Sequence, residues 1–310
     1  AAMVGHAADV ELQRDGCNAL WTMALGSDVC IQAVVGAGGA AAVVAAMVGH
    51  AADVNLQQAG CGALRIMAFD SDACRQAVAD AGGVAAVAAA MGGHAAAVKL
   101  QRDGCGALQN MALGSDACKQ AVVDAGGVAA VAAAMAGHAA DVKLQRDGCG
   151  ALRDMAVGSD AFKQAVVDAG GAAAVAAAMG GHAADVKLQR NGCGALSNMA
   201  AGSYARKQAV VGAGGAAAVV GAMGRHDADV ELQRSGCGAL SNMTFGSNAR
   251  IQAVVRSARG AAAAMGRHIA DVELQRLGCG AQRNMAVGSS DARKQAVVLW
   301  RRRWAVTLLM

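Results

Sequence analysis

Proline does not occur once in the 310 residues, and aromatic side chains make up only 2% of the chain. About 5% proline is usual, so punctuation falls to the 42 glycines, which end helices through left-handed backbone conformations. The shortage of rings excludes a core built on large aromatic side chains. With 55% hydrophobic residues, much of that fraction alanine, the core must consist of small side chains packed closely. A block of one charge is also missing before the last ten residues. The net charge of +4 is too mild to imply nucleic acid. No segment reaches the roughly 18 uninterrupted apolar residues that crossing a membrane requires.

Signatures of catalysis and metal binding are absent as well. There is no G-x-S-x-G, no H-E-x-x-H and no Walker lysine. "GAGGAAAV", from Gly36 to Val43, lacks G-x-G-x-x-G and follows a helical pattern rather than a strand, so it reads as a turn. Asp9, Asp53, Asp141 and Asp185 stand at helix starts, where capping explains them better than acid–base chemistry. The reading is therefore no enzyme, no cofactor, no metal and no small-molecule substrate.

What the chain does have is repetition. The cysteine of a recurring "GC" falls at Cys17, Cys61, Cys105, Cys149, Cys193, Cys237 and Cys279, five steps of 44 residues and one of 42. Every histidine keeps the same time, at His6, His50, His94, His138, His182, His226 and His268. A period of 44 belongs to helical solenoids, whose repeats bury their faces against neighbours. At this spacing neighbouring copies lie about one helix diameter apart, roughly 10 Å. That is too far for disulfides, which need Cα atoms within about 7 Å, or for a zinc site made from one imidazole per layer. Buried, reduced thiols in the cytoplasm or nucleus follow. Each histidine should end an alanine-rich helix, where partial positive charge is favourable.

Three helices fit each repeat. A long one runs from Asp141 as N-cap to Val157, with Gly158 placed for a left-handed end. A middle helix follows Ser159 and Asp160 and ends near "DAGG" at 168–171. A back helix of Ala and Val spans Ala172 to Met179. A wheel at 100° per residue sets Leu100, Gly104, Ala107, Leu108 and Met111 on one face of the long helix. Lys99, Arg102, Asp103, Gly106, Gln109 and Asn110 fall on the other. The glutamines, from Gln13 and Gln57 to Gln233 and Gln275, lie beside the core, and buried amides need partners, so each should bond backbone at a connection.

"LQRDGCGALQNMA" followed by "GSDACKQAVVDAGGVAAVAAAM" resembles the armadillo repeat. The resemblance covers nearly the whole chain and implies an all-α, right-handed α-α superhelix, with three helices per 44-residue repeat and the long helix lining a concave groove. Residues 1–298 then form one array, about six full repeats with partial units at both ends, and 299–310 a non-repeat basic and aromatic tail. In that family an Asn on the long helix grips an extended peptide; Asn110, Asn198, Asn242 and Asn284 match it, whereas Thr22, Ile66 and Asp154 do not. Import receptors of the family place Trp four residues earlier; here that place holds Asn18 or Gly, which argues against recognition of basic import signals.

The polar stripe is basic in the middle of the array: Lys99 and Arg102, then Lys143, Arg146 and Arg153, then Lys187 and Arg190. These residues, with Asn110, Asn198 and Asn242, are the candidate groove site, a cationic ladder for an extended acidic segment of a partner protein. The plainer reading is a solvated face with local salt pairs. Two other functions fit the fold: a structural spacer in a larger multidomain protein, or a membrane-associated anchor, for which the tail with Trp300, Arg301, Arg302, Arg303 and Trp304 would be the contact.

Gly104 and Gly106 each cost roughly 1 kcal/mol against alanine in a helix. Gly104 should admit a close neighbour. Gly106 faces outward, where a smooth groove floor or coding bias toward Gly explains it equally. The start, "AAMVGH", reads as the end of a back helix from a missing repeat. The 42-residue step, where "VVRSARGAAAAM" loses the double glycine, predicts a shortened back helix between Gly260 and Met265.

Overall fold

The structure, a computed structural model, describes residues 2–244 and 265–287, with side chains for all of these except 282–287. The expected irregularity at Gly260–Met265 and the tail at 299–310 lie outside the described residues. Two compact units divide the chain, Ala1–Gly158 and Ser159–Met310.

In the first unit, α1 (Ala2–Gly5) precedes the long helix α2 (Val10–Ala24), α3 (Asp28–Gly36) and the back helix α4 (Gly39–Gly49). The same triplet returns as α5 (Val54–Met67), α6 (Asp72–Asp80) and α7 (Gly83–Gly93), and as α8 (Val98–Ala112), α9 (Asp116–Asp124) and α10 (Gly127–Gly137), before α11 (Val142–Met155). The second unit holds α12 (Asp160–Asp168), α13 (Gly171–Gly181), α14 (Val186–Ala200), α15 (Tyr204–Gly212), α16 (Gly215–Arg225), α17 (Val230–Thr244) and α18 (Val272–Val287). Among the described residues there is no strand. Long helices stack on long helices, α2 on α5 on α8 on α11 in the first unit and α14 on α17 on α18 in the second, and each back helix packs on the long helix that follows it. Each unit is an all-α solenoid.

Local chemistry sets the boundaries. Asp53, Asp141, Asp185 and Asp9 cap their long helices, Asp141 Oδ1 accepting from the Leu144 amide at 2.8 Å. Ser27, Ser71, Ser115 and Ser159 cap middle helices. The double glycine has two separate reasons. Gly38 takes φ +80°, and Gly39 sits where a Cβ would lie 2.7 Å from the Val34 carbonyl oxygen.

The core is as small as the composition requires, with Leu56, Leu64, Met67, Leu100, Leu108 and Met111 among its largest wholly buried residues in the first unit. Methionine and glycine interlock at each long helix. A Cβ on Gly104 would come within 2.6 Å of Met91 Cγ and Sδ, and Gly60 stands so toward Met47, Gly148 toward Met135 and Gly192 toward Met179. The expected close neighbour of Gly104 is thus a methionine from the preceding back helix, whose flexible side chain fills the space the glycine leaves. Beside it, Gln101 Nε2 donates to the carbonyls of Met91 at 2.7 Å and His94 at 3.1 Å. Gln57, Gln145, Gln189 and Gln233 do the same, so the buried glutamines bond backbone at the end of the back helix, as their place on the wheel predicts.

The histidines do more than close their helices. His50 Nε2 meets the Ala7 carbonyl oxygen at 2.8 Å, His94 that of Ala51 and His138 that of Ala95. A carbonyl only accepts, so Nε2 carries the proton and each ring ties its repeat to the one before. All ten cysteines are free thiols. Burial pushes Cys17 up to about 11, and Cys105, Cys193 and Cys237 up to about 12, so these thiols stay protonated and inert.

Candidate functional site

The outward stripe of the long helices separates into residues that hold the stack and residues that do not. Arg102 Nη2 meets Asp141 Oδ2 at 2.8 Å, although Asp141 belongs to the following repeat and already caps α11. Arg234 and Asp271 repeat the arrangement at 2.7 Å. Arg190 holds Asp229 through Nε and Nη2 and also reaches Glu231 at 2.8 Å. One carboxylate therefore closes its own helix and receives the guanidinium of the previous one.

The second repeat supports this account by exception. Ala97 stands at the N-cap of α8 with no side-chain cap, and the residue that would face it is Gln58 instead of Arg. Both halves of the pair are lost together. Installing Ala97→Asp should restore the cap and raise stability by about 1 kcal/mol. Adding Gln58→Arg should add less, since a half-exposed pair contributes up to about 1 kcal/mol. Chemical denaturation of the single and double variants would measure both steps.

These aspartates also set an acid limit. Burial disfavours the charged form of Asp141, but the Leu144 amide and the Arg102 guanidinium outweigh it and hold the carboxyl below its ordinary value. Arg190 lowers Asp229, with help from the Leu232 amide, and the Leu274 amide followed by Arg234 lowers Asp271. A depressed pKa gives stability that is present above the unfolded value, about 3.9, and lost as pH falls through the folded one. Asp103 has the opposite sense, because burial raises it against the pull of Arg65. Asp160 and Glu273 are also held low, by Arg206 and Arg276, so with five groups against one, thermal melts should be flat down to about pH 5 and fall steeply below about pH 4.

The candidate asparagines turn toward the stack too. Asn110 Nδ2 donates to the Arg65 carbonyl at 2.8 Å, and Asn242 Nδ2 to the Ser197 carbonyl at 3.1 Å. Each links its long helix to the previous one and so has one amide proton fewer for a ligand. Asn198 is half-buried at the matching place on α14, and the side chain of Asn284 lies outside the described ones. Arg153 bonds Asp154, a buried carboxylate that also accepts from Gln109 at 2.9 Å. Arg146 is half-buried on α11.

Lys99, Lys143 and Lys187 behave differently. Each is exposed in the first turn of its long helix, and none makes an ion pair among the described residues. Lys99 and Lys143 are the open cations that α8 and α11 present in the first unit, and Lys187 has the same place on α14 in the second.

The outward glycine is no bare floor. Where Gly106 lacks a Cβ, the guanidinium of Arg65 lies across the backbone, reaching Asp103 at 3.4 Å and Asp147 at 3.8 Å. Gln109 covers Gly150 likewise, at 2.8 Å from the position of a Cβ. Gly62 is the exception: nothing lies within 4 Å of its missing side chain. It opens into a pocket of about 400 Å³ with apolar walls from Trp21, Leu25, Ile66 and Phe69. Residue-by-residue reading misses this pocket because its signal is the replacement of polar letters by apolar ones at 21 and 66, in two different repeats, which only adjacency on the folded stack joins.

Among the described residues no group of His, Cys, Asp or Glu could hold a metal, and no single helix is long and apolar enough to cross a membrane. No protein-family model and no curated protein matches the chain. Solved structures do. An engineered protein is 26% identical at a TM-score of 0.67, the match covering 80% of this chain and 96% of that one. A designed armadillo repeat protein in complex with the peptide (KR)4 is 19% identical at a TM-score of 0.65, over 77% of this chain and 95% of that one. A computationally designed armadillo repeat protein for modular peptide recognition gives 20% and 0.67, over 76% and 95%. The fold is that of an armadillo-type solenoid.

Proposed function

We propose that this armadillo-like chain is a non-enzymatic, protein-binding scaffold that holds an extended, acidic segment of a partner along its long helices. The observation that carries the reading is the pair Lys99 and Lys143, exposed and without an ion pair among the described residues at the same place in successive repeats, while Arg102 beside Lys99 is engaged in the stack. Axes of packed helices lie 8–10 Å apart and an extended chain rises about 3.3 Å per residue, so one repeat spans two to three residues of such a segment. The fold is one that designed proteins use for peptide recognition. The designed relative bound to (KR)4 takes a basic peptide; the open lysines here favour the opposite charge. Ten free thiols suit a reducing compartment, cytoplasm or nucleus.

Fluorescence anisotropy with labelled Asp/Glu-rich and Lys/Arg-rich peptides tests this. The acidic peptide should bind in a salt-dependent manner, and Lys99→Glu with Lys143→Glu should weaken it by about tenfold or more at an unchanged melting temperature. Equal binding of the basic peptide, or no effect of the double variant, would remove the reading.

A further inference from the structure

The pocket at Gly62 exists where the chain departs from its own repeat. At the place that Asn110 fills in α8, α2 has Thr22 and α5 has Ile66. Arg65 covers Gly106 and Gln109 covers Gly150, yet Trp21 leaves Gly62 open. Trp21 is 42% exposed, Leu25 53% and Phe69 61%. Large apolar side chains standing half in water around a cavity are unusual in a chain with only 2% aromatics.

Charge narrows the occupant. Arg65, the one cation lining the pocket, is shared between Asp103 and Asp147, so neither an anion nor a cation finds an unanswered opposite charge there. An uncharged apolar group fits. On the rim, the side-chain amides of Asn18 and Gln58 have no hydrogen-bond partner among the described residues and can serve the main chain of an extended segment. Lys99 lies on the neighbouring helix, one turn N-terminal to the level of Gln58, since the 44-residue offset places it opposite Asn55. The open cations therefore begin beside the pocket.

We infer that the Gly62 pocket seats one large apolar side chain, leucine or phenylalanine in size, of an extended partner segment whose neighbouring residues are acidic and face Lys99 and Lys143. This deepens the proposed function and rests on it. The partner's motif is then an apolar anchor next to an acidic run. A purely acidic run would leave Trp21 and Phe69 in water.

The test uses acidic peptides identical except for one central residue, leucine, phenylalanine or serine, measured by fluorescence anisotropy against the full chain. Leucine or phenylalanine should tighten binding about tenfold over serine. Gly62→Gln, which fills the cavity from a helix position with open space around it, should erase that advantage while the serine peptide binds as before. Circular dichroism checks that the variant remains helical, and Phe69→Ser, at an exposed site, provides a second variant that should act alike. Equal affinity for all three peptides would overturn the apolar anchor and leave the acidic reading standing. An advantage that survives both substitutions would place the contact elsewhere and overturn it too. If no acidic peptide binds, both readings fail.

Discussion

Gly60→Ala destabilises the chain, whereas Gly62→Ala, two residues on in the same helix, stabilises it. Both substitutions supply the helix propensity that glycine lacks, about 1 kcal/mol. At Gly62 nothing opposes the gain, because no atom lies within 4 Å of the new methyl group. At Gly60 the methyl would stand 2.5 Å from both Cγ and Sδ of Met47. Met47 is wholly buried, and Cγ sits too near its backbone to swing clear. Overpacking of this kind costs about 1–3 kcal/mol, so a net loss of about 1 kcal/mol is expected for alanine, and roughly 3 kcal/mol or more for Gly60→Leu. Urea denaturation of the three variants measures the signs directly. Two glycines of one "GCG" giving changes of the same sign would show that the methionine is not locked against the helix.

Asp229→Ala is expected to cost about 2 kcal/mol, roughly half from the lost cap of α17 and the rest from the stranded Arg190 guanidinium. Arg190→Ala removes only the pair and leaves the cap, so it should cost about 1 kcal/mol or less, Arg190 being 41% exposed. Lys187→Ala, three residues earlier, should cost almost nothing. The ordering Asp229, Arg190, Lys187 is the signature of a carboxylate with two tasks, read from thermal melts of the single variants and their Arg190/Asp229 double-mutant cycle. Equal effects at Arg190 and Lys187 would mean that the basic stripe is a uniform solvated face.

The consequence for binding studies is direct. Reversing Arg102 or Arg190 would strip a partner from a helix cap and loosen two repeats at once, so a loss of ligand could not be assigned to lost contact. The lysines offer that separation, since they are exposed and make no ion pair among the described residues.

The period, the three helices and their ends are determined by the sequence alone, because each depends on neighbours in the chain. Asp141 caps Leu144, three residues away; Gly38 turns the chain where it stands; Gln101 is placed beside the core by helical periodicity and must find a bond there. Which members of the outward stripe remain open to a partner was decided only by tertiary structure. Arg102 finds Asp141 at 39 residues' distance, Asn110 finds Arg65 at 45, and Arg65 settles over Gly106. A wheel assigns all of these one face of one helix. It carries no information about the helix alongside, and a long polar side chain on a stacked helix is paired or free according to what the next helix presents within its reach. Among the described residues Lys99 meets no carboxylate there, and nothing lies within 4 Å of the side chain that Gly62 lacks; those two vacancies, set by the packing of one repeat on the next, are what the proposed peptide site rests on.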